Sequence, residues 1–169
     1  MIETSRLLIR PWTTNDVPHY QAMSFDVGYT CFSPPGIFLV KDESEALQKV
    51  NGRIKNFEEH RIGKFLVFEK SSGSFVGTCG GDFFDLRGEK QVELGYRMML
   101  SHWGKGFATE AASALVHYLL SDVKLQSVYG FALHQNQQSL KILEKIGMKY
   151  QYDFSWAGLS HKLFRIEKP

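Results

Sequence analysis

Apolar positions along the chain switch between two periods, and the switches divide it into elements. Thr4–Arg10 (TSRLLIR) is a short apolar run closed by Pro11, which cannot continue a ladder, so it reads as a strand. Thr13, Thr14 and Asn15 offer cap oxygens for a helix over Asp16–Met23. Ser24–Val40 follows neither period; it is aromatic, with turn residues Gly28, Pro34, Pro35 and Gly36, and reads as irregular. Ser44–Arg61 is helical: Ser44 caps it, Ala46, Leu47, Val50 and Ile54 share one face, and Gly63 lies just past its end.

The middle of the chain shifts to strand-like runs. Lys64–Glu69, Phe75–Phe84 and Gln91–Leu100 are separated by polar turns at Lys70–Ser74 and Asp85–Lys90, which predicts an antiparallel meander. Gly77, Gly80 and Gly81 interrupt the second strand and mark a bulge or a close approach by a ligand. The last third alternates. Phe107–Leu120 is a helix burying Ala108, Ala111, Ala112, Leu115 and Leu119. Ser127–Leu133 is a strand, and Gln137–Ile146 is a helix capped by Asn136 and stopped by Gly147. Tyr150–Phe154 and Lys162–Ile166 are strands around a turn at Ala157-Gly158. This order predicts a mixed α+β or α/β sheet with helices on its faces.

Composition narrows the classes. A chain of 169 residues suits one domain and, at 43% hydrophobic and 14% aromatic, is too apolar to be disordered. Twenty basic against 18 acidic residues give +2, without the basic stripe of a nucleic-acid binder. Cys31 and Cys79 form no CxxC pair, so neither a zinc knuckle nor a disulfide framework is expected; both read as buried free thiols. No apolar run is long enough to span a bilayer, and the opening MIETSR lacks a basic region before an apolar one. The expectation is a cytoplasmic protein with no membrane or nucleic-acid partner and no metal.

The chemistry concentrates in Gln91–Ala112, QVELGYRMMLSHWGKGFATEAA. A strand runs through a glycine-containing loop into a helix whose first N–H groups have no internal partner and carry partial positive charge. That is an anion site suited to a pyrophosphate. A P-loop is excluded, because the glycine it needs five residues before Gly104 is Met99. A dinucleotide fingerprint would want a parallel βαβ unit, and here a hairpin meander precedes the loop. A coenzyme A pyrophosphate loop remains.

Trp103-Gly104-Lys105-Gly106-Phe107-Ala108-Thr109-Glu110-Ala111 resembles the acetyl-CoA-binding motif of the GNAT acetyltransferase superfamily, with Gly106 and Ala108 at its small positions. Trp103 stands where Gln or Arg is commoner. A second segment, Asn136 to Met148 with Ser139, Glu144, Lys145 and Gly147, is similar to the family's Asn-x-x-Ser/Ala…Glu-Lys-x-Gly-Phe. The opening from Glu3 to Asp16 resembles the branch containing ribosomal-protein N-terminal acetyltransferases.

The resemblance implies a mostly antiparallel mixed sheet splayed into a V and flanked by about four helices. It implies acetyl-CoA in that V, its pantetheine along Met98, Met99 and Leu100. The pyrophosphate would lie on Trp103, Gly104, Lys105, Gly106, Phe107, Ala108 and Thr109, and Asn136 would contact the cofactor or cap its helix. It further implies an amine acceptor, either a protein N-terminus or a small molecule, and a monomer or homodimer.

Acetyl transfer needs a base for the amine and, where used, an acid for the leaving thiolate. Glu93 is the candidate base, against the reading of a solvated strand glutamate. Ser139 is the candidate acid, because relatives often carry a Tyr at the position of Leu143, one helical turn further on. Arg97, His102 and His134 read mainly as structural or solvated, Trp12 as core. A covalent intermediate on Cys79 is not expected. The competing reading is a catalytically silent acyl-CoA-binding module. Acceptor specificity is expected in Ser24–Val40, the following helix and the loop around Trp156. Phe25, Tyr29, Phe32, Phe38, Phe83, Phe84 and Trp156 are candidates for an acceptor-side aromatic group.

Overall fold

The computed structural model describes residues 1–168. Eight strands form one sheet: β1 (Ile2–Glu3), β2 (Leu7–Arg10), β3 (Lys64–Glu69), β4 (Phe75–Leu86), β5 (Glu89–Met98), β6 (Ser127–Leu133), β7 (Lys149–Trp156) and β8 (Leu159–Glu167). Their spatial order is β1-β2-β3-β4-β5-β6-β8-β7. Every neighbouring pair is antiparallel except β5 and β6, which run parallel and share a single register pair, Glu93 with Tyr129. Beyond that pair the two strands diverge, and the wedge between them is the expected V.

Five α-helices cover the sheet: α1 (Val17–Phe25), α2 (Val27–Thr30), α3 (Glu43–His60), α4 (Phe107–His117) and α5 (Gln137–Lys145). Alternation along β3 separates two cores. Phe65 and Val67 face a cluster with Phe107, Ala111 and Leu115 of α4 and Leu140 and Leu143 of α5. Leu66 faces the other side, against Tyr20 and Met23 of α1 and Ala46 and Val50 of α3. Trp12 is buried in this second core, as expected, and its Nε1 donates to the Lys64 carbonyl at 2.7 Å. Fully burying each large aliphatic side chain contributes about 1.5–3 kcal/mol.

The structure adjusts several expectations. The segment read as irregular contains α2, because the Asp26 carboxylate accepts from the Tyr29 N–H at 2.9 Å and nucleates a single turn. This is the helix beyond the expected four. Asp42, not Ser44, caps α3, accepting from Glu45 N–H at 2.8 Å. The β4–β5 turn shrinks to Arg87-Gly88, whose φ angles of 57° and 86° suit a two-residue hairpin. α4 stops at His117 and continues as a π turn over Tyr118–Asp122. The last hairpin is longer at both ends than its apolar pattern suggested. Gly80 answers to the protein and not to a ligand: a Cβ there would lie 2.0 Å from the Gly63 carbonyl oxygen. Cys31 is exposed, correcting the expectation of two buried thiols, while Cys79 is buried. No helix among the described residues is long and apolar enough to cross a membrane.

Candidate active site

Strand β5 builds the site from both of its faces. Side chains alternate, so Glu93 and Arg97 share one face while Tyr96 points to the other, toward α5. The backbone alternates too. The Met99 N–H bonds back to Val76 O at 2.9 Å, which turns the even-numbered groups of Tyr96 and Met98 toward the wedge. Trp103 Nε1 donates to the Met98 carbonyl at 2.8 Å and ties the loop to the end of the strand. The Leu100 N–H is held by Asp26 Oδ1 at 3.0 Å. Met99 and Leu100 therefore direct their donors away from the wedge.

One cleft, about 330 Å³, lies between β5, the loop, the start of α4 and one face of α5. Met98, Trp103, Gly104, Gly106, Phe107, Ala108, Thr109, Asn136 and Ser139 line it, as does His102; Met99, Leu100 and Lys105 do not. Gly104 and Gly106 hold φ of +75° and +79°, the left-handed conformation that glycine adopts without strain. Gly106 is the residue before α4, so the first helical N–H groups open toward the cleft. Lys141 and Lys145 add positive charge from α5. Sequence reasoning missed them, although 138, 141 and 145 repeat at helical spacing and place Gln138 and both lysines on one face. Oriented amides, two glycines and two lysines form a donor set that fits a pyrophosphate-bearing cofactor. Among the described residues, no cluster of three His, Cys, Asp or Glu could hold a metal ion.

A second cleft of about 340 Å³ opens through the wedge on the Glu93 side. Glu93 Oε2 lies 3.2 Å from Lys64 Nζ. That ammonium also donates to the Gly80 carbonyl at 2.9 Å and stands 3.7 Å from Asp82. Gly95 makes room for it: a Cβ there would sit 2.5 Å from Lys64 Nζ and 2.9 Å from Glu93 Oε1. Glu93 is thus held in place and is not a freely solvated strand residue.

The two clefts meet at Phe32, Tyr96, Arg97, Asn136 and Ser139, which line both. Tyr96 Oη donates to the Ser139 carbonyl at 2.9 Å and lies 3.0 Å from Ser139 Oγ. Burial pushes the Tyr96 hydroxyl above its ordinary value, so it stays protonated. Asn136 Oδ1 accepts from the Ser139 N–H at 3.1 Å, which is its capping role, while it still faces both clefts. Tyr96 was not a candidate from sequence; only the strand–helix contact reveals it.

Of the expected acceptor-side rings, Tyr29, Phe32, Phe38, Phe83, Phe84 and Trp156 line the second cleft. Phe25 does not: it is 72% exposed. Phe131 and His161 join the group unforeseen. His134 lies in neither cleft and stands 3.3 Å from Asp153. Desolvation pushes the Cys79 thiol up to about 12, which leaves it inert as a nucleophile.

The opening motif has a structural partner. Glu110, in the first turn of α4, accepts from the Arg6 backbone N–H at 2.9 Å, Arg6 Nε at 2.7 Å and Ser5 Oγ at 3.1 Å. Burial opposes its charge, but hydrogen bonds from Thr4, Arg6 and Ser5 hold it down at about 2. These contacts pin the start of α4 to the edge of the sheet.

A family model for the acetyltransferase (GNAT) domain matches residues 6–149, and the chain belongs to that family. The Bacillus subtilis N-acetyltransferase YnaD is 28% identical over 148 residues, 88% of this chain and 82% of that one. Matches to YkkB of B. subtilis and p20 of Bacillus licheniformis span only 64% and 51% of those proteins. A GNAT-family acetyltransferase structure from Bacillus anthracis superposes with a TM-score of 0.77, 23% identity and 99% and 98% coverage. RimL, a ribosomal L7/L12 α-N-protein acetyltransferase solved with coenzyme A, gives 0.81 at 14% identity over 97% and 95% of the two chains.

Proposed function

We propose that the protein is an acetyl-CoA-dependent N-acetyltransferase that joins cofactor and amine in a ternary complex, with direct attack of the amine. The observation that carries this is the meeting of two clefts at Tyr96, Asn136 and Ser139, with a carboxylate in one and an anion-binding helix start in the other. Acetyl-CoA supplies the activated acyl group when bound. Gly104, Gly106 and the N–H groups of Phe107, Ala108 and Thr109 hold its pyrophosphate, Lys141 and Lys145 neutralise phosphate charge, and the wedge-facing backbone of Tyr96 and Met98 aligns the pantetheine.

Glu93 accepts the proton that the amine nitrogen loses, through a bridging water, and Lys64 fixes the carboxylate for that task. Ser139 Oγ gives a proton toward the leaving sulfur and regains one from solvent as the products leave, while Tyr96 Oη, donating to the Ser139 carbonyl at 2.9 Å, holds the serine in place. A CoA-thiol assay over a panel of amines tests the reading. Amine-dependent CoA release supports it. Tight acetyl-CoA binding with no release for any amine supports a silent binding module instead.

A further inference from the structure

The acceptor cleft holds charges that do not balance. Both of its acids, Glu93 and Asp82, face one cation, Lys64, at 3.2 and 3.7 Å. Its other two cations, Arg53 and Arg97, form no ion pair among the described residues. Arg97 is the more telling. It reaches from the same face of β5 as Glu93, and its guanidinium stacks 5.2 Å from the centre of Phe38. A single hydrogen bond to the Tyr29 carbonyl, at 3.3 Å, engages one of its five N–H donors. Its Nε and Nη2 have no partner among the described residues and are not buried, so they open to the cleft, where an anion can take them in place of water. The planar fork suits a carboxylate.

The opposite wall is aromatic. Phe131 sits with its ring centre 5.5 Å from Phe84, 5.2 Å from Trp156 and 5.5 Å from His161. Trp156 stays 38% exposed beside the 157–158 turn, a large apolar face left for a ring to cover.

We propose that the acceptor is a small aromatic amine that also carries a carboxylate. Its amine would lie at Glu93, its carboxylate on Arg97 and its ring against Phe131 and Trp156. This rests on the acetyl-transfer reading. A cation such as a polyamine would meet Arg53 and Arg97 with the wrong sign, and a peptide N-terminus would bring a neutral amide where Arg97 waits.

The test compares matched amines: phenylalanine with phenethylamine, tryptophan with tryptamine and 4-(aminomethyl)benzoate with benzylamine, beside spermidine and a tripeptide. The carboxylated members are expected to show kcat/KM at least about tenfold higher, one good charge-assisted pairing. Arg97→Met should erase that preference and raise the acceptor KM far more than the acetyl-CoA KM; Arg97→Lys should keep part of it. A preference for the decarboxylated amines, spermidine or the tripeptide overturns the proposal. So does an Arg97→Met effect confined to the acetyl-CoA KM, which would assign the arginine to the cofactor. Should no amine be acetylated, the acetyl-transfer reading fails, and calorimetric titration of phenylalanine and N-acetylphenylalanine into the CoA-loaded protein decides separately. Binding that Arg97→Met abolishes supports the proposal, and no binding overturns it.

Discussion

Tyr96 Oη and Ser139 Oγ lie 3.0 Å apart, so a strand on one wall of the wedge and a helix on the other share a hydroxyl pair. The tyrosine spends its own proton on the Ser139 carbonyl at 2.9 Å, which leaves the serine proton mobile. Ser139→Ala and Tyr96→Phe should each lower kcat about tenfold, and the double variant little further because the tyrosine acts through the serine, with acetyl-CoA KM nearly unchanged. Steady-state kinetics on the three variants checks this; a wild-type kcat in all of them would remove the pair from the proton path.

Glu93 and Lys64 are expected to fail in different ways. Glu93→Gln removes the proton acceptor and should lower kcat/KM about 10²- to 10³-fold, while Glu93→Asp keeps part of it. Lys64→Met leaves the acid in place but without the ammonium that fixes it, so the loss should be about tenfold. Calorimetric titration of acetyl-CoA should show wild-type affinity in each. Loss of cofactor binding in Lys64→Met would mean that the lysine supports the wedge and not the carboxylate.

The lysines of α5 should act on affinity. Lys141→Gln with Lys145→Gln should weaken acetyl-CoA binding about 3- to 10-fold and flatten its salt dependence, as exposed charge contacts of this kind do. Calorimetry at two ionic strengths reads both effects. An unchanged affinity would place the phosphates on the α4 amides alone.

Glu110 makes a stability prediction. Its folded pKa of about 2 lies below the usual unfolded carboxylate value of about 4.3, so its stabilisation is complete above that value and is lost as pH falls toward 2. Glu110→Gln should therefore destabilise the protein at pH 7 by about 1–3 kcal/mol and much less near pH 2. Urea unfolding at both pH values measures it, and an equal penalty at the two would contradict the assigned role.

The sheet was readable because β3 to β6 carry strand-period runs cut by polar turns, and α3 to α5 carry helical faces with clear stops. α2 was not, since a single turn has no period and its existence rests on the Asp26 carboxylate capping Tyr29. The phosphate loop and Asn136 stand in local motifs, as do Glu93 and Ser139. Tyr96, Lys64 and Phe131 were hidden for a different reason. Their roles come from neighbours far along the chain, such as Ser139 for Tyr96 and Glu93 for Lys64, and no local spacing encodes them. Phe25 failed in the opposite way: it sits one residue before Asp26 yet points to solvent at the end of α1.

The most direct test of acetyl transfer at this junction is CoA-thiol release from acetyl-CoA, with and without amine, by the wild type and the Glu93→Gln, Ser139→Ala double variant. Amine-dependent release by the wild type, cut by at least about a hundredfold in a double variant that still binds acetyl-CoA, is the predicted result. Equal release by the two proteins, or none by the wild type with the full amine panel, would contradict it.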